Sequence, residues 1–164
     1  MLTPRLSEMV AELIVLIGNE AALFEEFLEL LGRQQGMLIK SDVEGLSRIK
    51  ARRRKKVMES QLLNKQREEL ICTIKSTNAI VGDLYTSRLI ELVDEDQGSR
   101  LVQLRRILDS LNSEIGAVRS QNEVLLKRSR EYVKRTLELL DKINSPKNNC
   151  SQSIEPAKNK QLGD

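Results

Sequence analysis

The sequence predicts an all-α fold: an elongated three-helix antiparallel bundle or coiled coil with a disordered C-terminal tail. Three observations predict it. The 164 residues include two Phe, two Tyr, no Trp, eight Gly and three Pro, too little aromatic bulk and punctuation for a compact α/β or all-β core. Leu is the commonest residue, with 26, and 31% of the chain is charged, the balance of long amphipathic helices. Finally, three long segments repeat apolar residues in steps of three and four.

The first helix is expected over about residues 4–39, with Pro4 at an early helical position and Leu6, Val10, Leu13, Ile17, Phe24, Phe27, Leu31 and Leu38 on one face. A second stripe, Met9, Leu16, Leu23, Leu30 and Met37, recurs every seven residues beside it, so this helix should touch two neighbours. Ser41-Asp42-Val43-Glu44 has the form of a capping box, which places a turn near residues 40–42 and a second helix over about 42–75. Residues 1–39 carry two basic and six acidic side chains, net −4, whereas residues 40–75 carry eleven basic and five acidic, net +6. Folding back at the turn would set Arg53 near Glu29 and Lys56 near Glu26, pairs that orient the hairpin more than they stabilise it.

Residues 76–86 read as a loop and 87–93 as a short helix. Asp94, Glu95 and Asp96 then supply negative charge at the start of a third long helix, about 97–143. Leu101, Leu104, Leu108, Leu111, Ile115, Val118, Asn122, Leu125, Ser129, Tyr132, Thr136, Leu139 and Ile143 mark its coiled-coil seam without a break. The seam turns polar at Asn122, Ser129 and Thr136, which should weaken self-packing just where a flanking stripe of Leu126, Val133, Leu137 and Leu140 begins. Residues 1–143 are therefore expected as one helical domain and 144–164 as a tail too polar to order itself.

Composition also removes function classes. Without His, the usual triads, His-containing zinc sites and the commonest proton carrier near neutral pH are lost. Cys72, between Ile71 and Ile74, is expected as a small packing residue; Cys150 sits in the tail, and no CxxC pair or phosphate-binding glycine loop occurs. No enzyme, cofactor or metal is expected. The longest apolar run, Leu13 to Ile17, is far short of the ~20 residues that span a bilayer, and Glu8 and Glu12 interrupt any secretory signal, so a cytoplasmic location is expected. The run Arg52 to Lys56 could bind nucleic acid, but five consecutive helical residues point all round the axis and Glu25, Glu26 and Glu29 can neutralise part of them. We expect a solvated surface there and no nucleic acid.

Gln34, Leu38, Asp42 and Leu46, then Arg67, then Asn122, Leu125-Leu126, Ser129, Val133, Leu137 and Leu139-Leu140 follow a known pattern. Over roughly residues 20–143 the chain resembles the flagellar export chaperones of the FlgN family, with Arg119 standing where that pattern has an Asn. The resemblance implies a cytosolic chaperone that binds C-terminal helices of hook-filament junction proteins of the FlgK and FlgL type. It would deliver them to the FlhA gate of the flagellar type III export apparatus. Partner-binding residues are then expected at Asn122, Leu125, Leu126, Ser129, Val133, Leu137 and Leu140, with Tyr132 as an aromatic anchor. Two other classes compete: a structural tether dimerised through residues 101–143, and a basic nucleic-acid-binding hairpin.

Overall fold

The computed structural model describes residues 3–144. Among them are four helices and no strand: α1 (Pro4–Lys40), α2 (Val43–Thr77), α3 (Thr86–Leu92) and α4 (Glu95–Asn144). Each boundary lies within about two residues of its expected place, within the usual fraying of helix ends. The expected tail, apart from Asn144, lies outside the described residues. The chain divides into two units after Asn122, and each is taken by itself.

In the first unit α1 starts on a Thr3 hydroxyl that accepts from the Leu6 N–H at 3.2 Å, with Pro4 supplying a preset φ. It ends at Ser41, which adopts the left-handed conformation (φ 56°) and returns its N–H to Leu38 O. That conformation overturns the expected capping box. A residue closing one helix in the left-handed region cannot also stand in the extended geometry of a cap, so Asp42 (φ −80°, ψ 91°) takes over and accepts from Gly45 N–H at 2.9 Å. Gly45 fits because a Cβ there would come within 2.7 Å of Met37 Sδ and 2.8 Å of Asp42 Cγ.

The two helices form an antiparallel hairpin whose register follows charge. Lys56 pairs with Glu26 as expected, and also with Glu59 at 3.2 Å. Arg53 does not meet Glu29, which pairs instead with Arg33 one turn along its own helix. The Arg53 guanidinium lies over the Phe27 ring, 5.7 Å from its centroid, and donates to Gln34 Oε1 at 3.0 Å. Of the basic run, Arg52, Arg54 and Lys55 remain exposed. Cys72 is exposed too, because α2 buries little beyond Gly45, Ile49 and Ile74 and has few inward positions to fill.

The wide apolar face of α1 touches a second neighbour. Gln97 Nε2 donates to Ser7 O at 2.9 Å and Gln35 Nε2 to Gln121 Oε1 at 2.9 Å, so the first part of α4 runs parallel to α1. Asp94 caps α4 by accepting from Gln97 N–H at 2.8 Å. Leu6, Val10 and Leu13 of α1 cluster with Ile74, Leu89 and Leu101, one contribution from each remaining helix. Further along, Leu104 and Leu111 are buried as the seam requires. Glu20 is an exception inside this core: only 5% exposed, it faces Arg67 Nε at 3.4 Å. Burial pushes its carboxyl above the ordinary range, and Arg67 opposes that shift without cancelling it.

Candidate functional site

The second unit, described over residues 123–144, is the remainder of α4. At about 100° per residue, Leu126, Ser129, Val133, Leu137 and Leu140 fall within an arc of about 80° on this helix. Leu125, Tyr132, Thr136, Leu139 and Ile143 fill the adjoining arc, so one side of the stretch is apolar across nearly half its circumference. Leu125 and Leu126 are half-buried. Beyond them the side chains are open: Val133 is 52% exposed, Leu137 55%, Leu140 47% and Tyr132 73%. Leu139 and Ile143 are exposed as well.

Polar groups on this side do not disturb its apolar character. The Thr136 hydroxyl donates to Tyr132 O at 3.0 Å, one turn back within the same helix, and is satisfied there. Ser129, Val133 and Leu137 line a shallow trough, edged by Arg130, Lys134, Glu138 and Asp141. An apolar floor with a charged border along one side is chemistry that suits an amphipathic helix. Scattered exposed leucines need no explanation; here the exposed apolar side chains are contiguous.

Asn122 is not brought together with the others. It belongs to the first unit, is 3% exposed, and donates through Nδ2 to Leu31 O at 3.0 Å and Gln34 Oε1 at 3.3 Å. Its side chain fastens α4 to α1 and is closed to a partner. Polarity at this seam position therefore strengthens the internal packing, contrary to the expectation that it loosens it. Gln34, which also accepts from Arg53, makes this a three-helix junction. In the sequence Gln34 and Asn122 stand out only as landmarks of the family pattern, with nothing to say that they meet.

Among the described residues, no helix is long and apolar enough to cross a membrane. What is present defines a class: an all-helical protein with an internally packed bundle and a helix face left apolar and open, suited to binding another helix. The model of the family described as FlgN protein matches residues 9–152, and the chain belongs to the FlgN family, which makes it a flagellum-related chaperone. No curated protein and no solved structure matches this chain.

Proposed function

We propose that the apolar side of α4 over residues 125–140 captures the C-terminal helical segment of a hook-filament junction protein of the FlgK or FlgL type. The chaperone would hold this segment in the cytoplasm and deliver it to the FlhA gate of the flagellar type III export apparatus. The supporting observation is the exposure of Val133, Leu137 and Leu140 on one arc. A client helix destined to assemble through an apolar face needs that face covered until export, and a matching strip on a stable helix covers it without chemistry. The activity is holding, so no catalytic group, metal or cofactor enters. Leu125, Leu126 and Ser129 extend the strip, and Tyr132 provides an aromatic anchor at its edge.

The competing tether, dimerised along residues 101–143, would need a seam that is open throughout. Leu101, Leu104 and Leu111 are buried within the first unit, which leaves only the later part for any second chain. Replacing Leu126, Val133 and Leu140 together by Ala tests the proposal. Ala keeps helix propensity at its maximum, so helicity by circular dichroism should persist while calorimetric binding of a FlgK-type C-terminal peptide disappears. Binding that survives the triple change places the site elsewhere. Sedimentation of the wild type should give a monomer that becomes a heterodimer with client; a client-free stable homodimer favours the tether.

A further inference from the structure

The first unit has a second receiving surface. Glu20, Phe24 and Phe27 of α1 floor a cleft of about 590 Å³, walled by Ser60, Asn64 and Arg67 of α2 on one side and Leu108, Ile115 and Arg119 of α4 on the other. Leu108 to Arg119 span eleven residue steps, or about 16 Å of helix, so the cleft is about three turns long. Phe24 and Phe27 are the only phenylalanines in the chain, and both are half-buried on this floor while the core is built from Leu, Ile and Val. Leu108 and Ile115 beside them are half-buried as well.

The two ends differ in charge. At one end Glu20 already faces Arg67, and Asp109 adds a carboxylate. The other end holds Arg119 and, over the Phe27 ring, Arg53. Among the described residues neither arginine is in an ion pair, and Arg53 Nε is buried without a hydrogen-bond partner. Burial and then the nearby Arg119 charge both hold the Arg53 guanidinium below its ordinary range, so two like charges crowd this end, with the neutral Gln34 Oε1 as the acceptor for Arg53 and no paired carboxylate among the described residues. Both stay protonated at neutral pH.

We infer that this cleft docks a three-turn amphipathic helix from another protein, its apolar face on Phe24 and Phe27 and a carboxylate at its end between Arg53 and Arg119. The carboxylate relieves the repulsion, while the opposite end of the cleft repels a second acidic group beside Asp109. The docked helix therefore has one orientation. The surface is distinct from the apolar side of residues 125–140, so two partners can be bound by one chain.

The test uses two synthetic amphipathic peptides with Leu at i, i+3, i+4 and i+7, identical except that the residues at one end are Glu in the first and Lys in the second. Binding to the full chain is followed by fluorescence anisotropy. The Glu peptide should bind at least about tenfold more tightly than the Lys peptide, and Arg119→Glu should remove that preference. Arg119 is exposed and its reversal sets a carboxylate near Arg53, so the melting temperature should hold or rise and exclude unfolding as the cause. The Leu126, Val133 and Leu140 triple Ala variant should bind the Glu peptide unchanged. Equal binding of both peptides, indifference to Arg119→Glu, or loss of the Glu peptide in the triple variant overturns the inference. The last outcome would instead direct the peptide to the client face.

Discussion

Leu104→Ala and Leu137→Ala make the same chemical change at two seam-side positions of one helix, and the structure requires opposite consequences. Leu104 is 3% exposed within the first unit. Removing its three carbons from a packed site should cost about 3 kcal/mol, transfer and cavity terms together. For a chain of this size that lowers the melting temperature by about 10 °C. Leu137 is 55% exposed, so its truncation should change stability by less than about 0.5 kcal/mol, since Ala is at least as good a helix former as Leu. Affinity for a FlgK-type peptide should run the other way. Covering the open half of a Leu side chain contributes about 1 kcal/mol, or about fivefold in Kd, which Leu137→Ala should lose and Leu104→Ala should retain below its melting point. Thermal melts and calorimetric titration of both variants measure the four numbers. A Leu137→Ala melting point that falls as far as that of Leu104→Ala would refute the reasoning, because the strip would then be covered from within.

Asn122→Ala should destabilise the chain by about 1 to 3 kcal/mol in urea melts, since it deletes the bonds to Leu31 O and Gln34. Asn122→Leu deletes the same amide, the unpartnered buried Oδ1 included, but fills the space that Ala leaves empty, so it should recover part of that loss; an Asn122→Ala stability within about 0.5 kcal/mol of wild type would show that the amide does not fasten α4. The raised pKa of Glu20 means that the folded chain holds this proton more tightly than the unfolded one. Its contribution to stability is therefore most favourable at low pH and is lost as pH rises from the ordinary 4.5 through the raised value. Glu20→Gln should flatten that slope in melting temperature against pH, and an unchanged slope would mean that Arg67 offsets the burial.

Periodicity carried the fold and part of the site. The three-and-four spacing located each long helix because the period of side-chain projection is a local property, and net charges of −4 and +6 set the hairpin's direction because Lys56 had Glu26 to meet. Local competition defeated the finer expectations. Ser41 could be a cap or a terminator, and the backbone reversal required the second. Arg53 could pair with Glu29 or cover Phe27; Glu29 had Arg33 one turn away on its own helix. The seam step is the same at Leu104 as at Tyr132, although one is buried and the other 73% exposed. Spacing says which side of a helix is apolar and is silent on whether the chain has anything to lay against it. Asn122 illustrates the reverse case: a polar residue on the seam, read as a weakness in packing, is the bond that completes a three-helix junction.

An open apolar strip poses a physical problem, because most helices owe their stability to burying one. Residues 123–144 answer it on the opposite side. Glu123, Lys127, Glu131 and Arg135 alternate in sign at four-residue steps, and Lys134, Glu138 and Lys142 repeat the pattern. These charges centre on the arc opposite Ser129 and Thr136, with Lys134 and Glu138 bordering Val133 and Leu137; none of the five spacings closes to an ion pair among the described residues, so their alternating signs support the helix by about 1 kcal/mol in all. The stretch also propagates from a helix that is continuous from Glu95, so it bears no nucleation cost of its own. Local support of this kind separates holding the helix from covering its apolar side. A client can then find that side already ordered, and the ordering entropy of binding falls on the client alone.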